Sequence, residues 1–167
     1  SFIDSMIEEM NFLTYYGQNS FQSGYIASKL MTQSILPDSR VLIIRNKRKG
    51  AVSNQTIARK TGFIQYIKEQ QLSDVELIDL ELSESDDEAN YVMLQQIFKK
   101  YDNIRGVITF NSRVYRLAKY LERLNFMDIR LIGYDLLEEN IKYLKNGIVT
   151  YLLAQRPEKQ AYFTIRD

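Results

Sequence analysis

Five short apolar runs, spaced along the chain with a helix-length segment between each pair, limit this sequence to a few folds. They are VLIIR (41–45), VELIDLEL (75–82), GVITF (106–110), IRLIGYD (129–135) and IVTYLLA (148–154). Between them lie segments with apolar residues at helical spacing, over about 53–70, 87–101, 112–124 and 137–146, and a further helix is expected before them over 21–36. Strands alternating with helices of this length signal βαβ units and a parallel sheet with right-handed crossovers. Most of the runs are continuously apolar, as strands covered on both faces are. The expected fold class is therefore α/β, a parallel sheet with helices on both faces.

The punctuation agrees. Asn19 or Ser20 can cap the helix at 21–36, and Pro37–Asp38 closes it. Gly24 lies inside that helix, where it costs about 1 kcal/mol relative to Ala; a close backbone contact would account for it. Ser53 or Asn54 opens the next helix. SESDDE (83–88) places carboxylates at the start of the helix at 87–101, which the helix dipole favours. Asn146–Gly147 is a helix stop.

Two absences bound the chemistry. The 167 residues contain no cysteine and no histidine. Disulfides, thiolate nucleophiles, zinc–sulfur sites, a Ser-His-Asp triad and His-ligated metals are excluded within this chain. No phosphate-binding glycine loop occurs. An enzyme here would have to use carboxylates, Lys, Tyr or a bound cofactor, and neither cofactor nor metal is expected. Asp86, Asp87 and Glu88 could pair for acid–base work or hold a cation, but a solvated acidic loop at a helix start is the favoured reading, and the calcium-loop pattern is missing. Net charge is +1, without the basic surplus of a nucleic-acid-binding domain. The local basic run RNKRKG (45–50) reads as a surface loop. No apolar stretch approaches the roughly 20 residues of a membrane span. The start carries acids and no basic n-region, unlike a signal peptide, and both ends look cut from a longer chain.

In open parallel sheets, ligands bind in the crevice beyond the strand C-termini. The polar residues there are Asn111 after GVITF, Asp135 after LIGY and Gln155 after IVTYLLA, with Arg59 at the first turn of the helix that follows VLIIR and its long loop. Such a set suits a small hydroxylated ligand. The arginine fork can hold adjacent hydroxyls or a carboxylate, an amide both donates and accepts, and a carboxylate can accept from two hydroxyls. Each also has a plainer role: surface arginine, helix cap for Asn111 and Asp135, hinge residue for Gln155. Tyr115 and Tyr134 read as core aromatics.

The segments FIDS…GQNSFQSGYIASKL, ARKTGF, GVITFNSRVYRLAKYL, LIGYDLLEENIKYL and VTYLLAQRPEKQAY, in this order and spacing, resemble the effector-binding core of the LacI family of bacterial transcriptional repressors. That fold is shared with periplasmic sugar-binding proteins related to ribose-binding protein. The resemblance implies two α/β subdomains around a cleft. Residues 1–36 would be a remnant of the first subdomain, with a strand tail at 1–4. Residues 37–150 would be the complete second subdomain, and 151–167 the crossover back. It implies a ligand site of Asn19, Arg59, Asn111, Asp135 and Gln155. Two departures stand out: Ser112 follows Asn111 where the family commonly has Asp, and Asn19 stands where Asp is frequent. It further implies a small effector, carbohydrate in class, a cytoplasmic homodimer, and operator DNA bound through a headpiece outside this chain, with no membrane partner and no catalysis. The alternatives are a transporter's sugar-binding protein, the sensor domain of a signalling receptor such as one fused to a kinase, or an α/β enzyme using Asp135.

Overall fold

The computed structural model describes residues 12–16, 19–47, 50, 52–126 and 128–156. They form one parallel sheet and five helices. The strands are β1 (Phe12–Tyr16), β2 (Arg40–Asn46), β3 (Glu76–Leu82), β4 (Ile104–Thr109), β5 (Arg130–Tyr134) and β6 (Tyr151–Arg156). The helices are α1 (Ser20–Ser34), α2 (Asn54–Glu69), α3 (Asp87–Lys100), α4 (Val114–Leu124) and α5 (Glu138–Lys145). The expected α/β class is observed, and element bounds fall near those read from the sequence. β6 is the main displacement: it starts at Tyr151 rather than Ile148, because Val149 and Thr150 donate their amides to Tyr143 and Leu131 in the turn before it.

The sheet order is β1-β6-β5-β4-β2-β3. From β1 to β2 and from β2 to β3 the chain moves one way across the sheet, and from β3 through β6 it moves back. Right-handed crossovers then place α1 and α2 on one face and α3, α4 and α5 on the other. Two cores match this division. Ala27, Met31 and Phe63 from α1 and α2 pack on Val41, Ile43, Ile108, Ile132 and Leu153. Leu94, Leu117, Leu121 and Tyr143 from α3–α5 pack on Leu42, Ile44, Val107, Leu131 and Leu152. Successive strand residues serve opposite faces, so both faces need apolar side chains and the runs are continuous.

The expected division at residue 36 is corrected. β1 pairs with β6 in parallel register, Phe12 with Leu152 through Tyr16 with Arg156, and α1 lies in the same layer as α2. Residues 12–34 thus belong to the same sheet and helix layer as 37–150. Residues 151–156 form an interior strand of that sheet rather than a crossover. The reading went astray because NFLTYY lacks the aliphatic run of the other strands; the strand tail expected at 1–4 lies outside the described residues.

Gly24 has the close contact expected of it. A β-carbon there would sit 1.8 Å from the Arg59 carbonyl oxygen, and one on Gly62 would sit 1.9 Å from that of Phe21. The two glycines face opposite backbones, so α1 and α2 touch main chain to main chain. Gly133 likewise admits α4, since a β-carbon there would lie 2.3 Å from the Val114 β-carbon. Gly→Ala in a helix ordinarily gains about 1 kcal/mol. At Gly24 the sign reverses, and Gly24→Ala is expected to lose about 3 kcal/mol, the upper range for overpacking a tight contact. Urea denaturation of the two proteins measures it.

Candidate functional site

The connections that leave the neighbouring strands β2 and β4 run in opposite directions across the sheet, and the residues of interest gather along its C-terminal edge. Arg59 stands in the second turn of α2, whose start is capped by Ser53 accepting from the Thr56 amide at 3.2 Å. The backbone contact at Gly24 fixes its depth. The side chain is buried, 3% exposed, which rules out the plainer reading of a surface arginine. Its guanidinium carbon lies 4.0 Å from the centroid of the Tyr134 ring, and Nη1 donates to the Phe110 carbonyl at 2.7 Å. A desolvated cation stacked on an aromatic face gains about 2 kcal/mol. Arg59 therefore joins α2 to the ends of β4 and β5.

Tyr134 is fully buried, as the core reading expected, and also carries polar duty. Its hydroxyl shares a 3.3 Å hydrogen bond with Ser23 Oγ, while Ser23 donates to the Ser20 carbonyl. Phe110 touches Tyr134 on one side and Phe63 on the other. Tyr115 is partly buried against the other core, with the Lys119 ammonium over its ring.

Asp135 follows β5 in the left-handed region, with φ of 75°, and its amide donates to the Leu153 carbonyl at 2.7 Å. A strand-end aspartate that caps the next helix is the plainer alternative, and the structure does not take it: the N-cap of α5 is Leu137, and no side chain caps the helix. The half-buried carboxyl is pushed above its ordinary pKa by loss of solvent, and the Arg59 charge draws it partly back. Arg59 and Asp135 are thus brought together.

Asn111 is half-exposed at the end of β4, and its Oδ1 accepts the Arg113 amide at 2.8 Å, a turn that leads into α4. With Asn46, Asn90, Thr109, Arg116 and Tyr120 it lines a hollow of about 10 Å³, room for one water. Asn19 and Gln155 differ from expectation. Asn19 is exposed and caps α1, accepting from the Gln22 amide at 2.9 Å and donating to Gln22 Oε1. It belongs to this sheet's edge, not to a facing subdomain. Gln155 lies within β6, paired with Tyr15, not beyond the strand's end; pairing with β1 carries the ladder past Ala154.

The acidic trio resolves into structural roles. Asp86 caps α3 through the Ala89 amide, and Glu88 pairs with Arg123. Asp87 accepts from Tyr120 and Arg116, which hold its carboxyl below the usual range. Among the described residues no group of three or more acids, His or Cys could hold a metal ion, and no helix is long and apolar enough to cross a membrane. In the basic run, Arg45 pairs with Glu81, while Arg48 and Lys49 lie outside the described residues. Sequence reading missed Asn140, which is fully buried on α5 and bonded to both site loops. Its signal was faint, one amide on the apolar side of a short helix.

With this geometry in view, the family can be identified. A model of the periplasmic binding protein domain matches residues 1–167. The chain belongs to that family. Among solved structures it is similar to a candidate LacI transcriptional regulator from Bacteroides fragilis, at 37% identity and a TM-score of 0.75, over 84% of this chain and 49% of that one. It is also similar to a carbohydrate transporter solute-binding protein from Agrobacterium radiobacter solved with D-arabinose, at 18% identity and a TM-score of 0.70, over 92% and 53%. A third, a XylFII molecule, is 24% identical with a TM-score of 0.63, over 81% and 48%. The last two bear on the fold alone. The chain spans about half the length of these relatives. No curated protein matches it.

The raised Asp135 pKa has a consequence for stability. The folded state holds this proton more tightly than the unfolded state, so stability falls as pH rises from the ordinary carboxylate value through the raised one. Asp135→Asn, which keeps shape and tolerates positive φ, is expected to raise the thermal midpoint at neutral pH. The gain should vanish below the ordinary carboxylate pKa. Calorimetric melts at several pH values check this; an unchanged or lowered midpoint at neutral pH would contradict it.

Proposed function

We propose that this chain is part of the ligand-sensing core of a LacI-type transcriptional regulator. In this reading a small carbohydrate or sugar derivative binds against the C-terminal edge of the sheet, between this subdomain and its facing one. The observation that carries it is Asp135. It is a carboxylate kept half-buried at a strand end, capping no helix, with a buried arginine beside it. A folded domain gains little from such a group, and a ligand offering hydroxyls gains much. Arg59 stiffens the floor, Asn111 supplies an amide, and Asn19 stands further along the same edge. The role is binding without turnover.

The regulator reading draws support from the 37% identity to the candidate regulator of Bacteroides fragilis. It implies a cytoplasmic homodimer whose operator-binding headpieces respond to the effector. A ligand shifts that equilibrium only by its difference in affinity for the two states. The second reading is a solute-binding protein of a sugar importer or the sensor of a signalling receptor, and the periplasmic binding protein domain to which the chain belongs is compatible with either.

A thermal-shift screen of the full-length protein against monosaccharides, disaccharides, uronates and sugar phosphates tests binding. A ligand at a hundred times its dissociation constant stabilises by about 2.7 kcal/mol. Asp135→Ala is expected to weaken the hit about 100-fold, the loss of a charged hydrogen-bond partner, with folding intact. Release or capture of operator DNA by the same ligand supports the regulator; sugar binding without any effect on DNA would turn the assignment to transport or signalling. Wild-type affinity in Asp135→Ala would remove the site.

A further inference from the structure

We infer that Asn140 is a positioning residue, a clamp that sets the relative placement of the Asn111 loop and Asp135 from outside the ligand surface. This rests on the reading of Asp135 as a ligand-facing group. Asn140 sits on the buried side of α5 and is 0% exposed. Its Nδ2 donates to three carbonyls, those of Ser112 at 2.9 Å, Asp135 at 3.0 Å and Tyr134 at 3.2 Å. Its Oδ1 accepts the Tyr115 amide at 3.0 Å. One side chain thus bonds the loop after β4 and the loop after β5 together.

Local contacts leave part of each loop unserved. α4 begins at Val114 with no side-chain cap of its own, and Tyr115 is its second residue, whose amide an N-cap side chain would ordinarily serve. Asn140 serves it from another helix. Asp135 holds a left-handed backbone conformation, strained for a residue other than glycine and sustained only where surroundings over-determine it. Two bonds do so: its amide to Leu153 and its carbonyl to Asn140. Only an amide fits this post, because the site asks for donors to carbonyls and an acceptor for an amide at once.

The test is made on the unliganded protein. In Asn140→Ala, the amides of Arg113 and Asp135, neither of them bonded to Asn140, are expected to exchange hydrogen about tenfold faster or more. The carbon-13 titration of the Asp135 carboxyl should move down toward the ordinary carboxylate value as the loop opens to water. Arg59 is the charged group acting on that carboxyl, so Arg59 shifts are followed in parallel. Leu144→Ala, a buried cut on the same helix, serves as the comparison: it should lower the melting point while leaving both amides and the titration in place. If Asn140→Ala lowers the melting point and changes neither readout, Asn140 is a packing residue and the inference falls. Should Asn140→Ala not fold, Asn140→Ser, small and uncharged, is too short to bridge the two loops and gives the same reading. No sugar is needed for any of these outcomes, so a failed sugar screen would overturn the proposed function and leave the clamp standing.

Discussion

The structure depends on the contact between α1 and α2 at two glycines. Gly24 lies against the Arg59 backbone and Gly62 against that of Phe21, so the helices approach more closely than side chains would permit. That distance decides how far α2 sinks toward the sheet. Arg59, fixed at the contact itself, can then reach across to Tyr134 and the Phe110 carbonyl. Tyr134 in turn touches Ser23 back on α1. The loop of contacts closes on itself, two helices and two strand ends, with a buried cation at its centre.

The same edge of the sheet shows a balance between stability and binding. Burying a charge is costly unless something compensates. Arg59 is compensated by a carbonyl, an aromatic face and the nearby Asp135. The aspartate is compensated less well, and burial outweighs the arginine in setting its pKa. Proteins tolerate such groups where activity requires them, and the expense falls on global stability. The polar cluster of Asp87, Arg116, Tyr120 and Asn90 contrasts with it. There every partner is supplied by the protein, and the result is a strut between α3 and α4.

Much of this was legible in the sequence, for identifiable reasons. β2, β4 and β5 are written as aliphatic runs because helices cover both of their faces, and their ends could be placed to within a residue or two. The cause of Gly24 was anticipated as a close backbone approach. Asp135 was marked by the strand and Gly133 before it. The failures share a different cause, since they concern contacts between residues distant in the chain. β1 is too aromatic and polar to read as a strand until β6 is beside it. Gln155 was taken as a strand-end residue because nothing local says that the ladder continues. The burial of Arg59 depends on Tyr134, which lies on another element, so no local pattern shows it. Asn140 answers to four backbone groups in two loops, and no local pattern announces that.

The pairing of β1 with β6 bears on how the molecule is made. The first described strand finds its only described sheet neighbour in the last described one. During synthesis, β2 to β5 and their helices can associate in order as they leave the ribosome, each crossover adding a neighbour. β1 must wait until β6 is made, and until β6 inserts, β5 and β1 both show unpaired backbone edges. Such long-range closure slows folding, and open strand edges invite intermolecular pairing. The nascent chain is thus most open to intermolecular pairing after β5 has formed and before β6 has, and β6 closes both edges in one step.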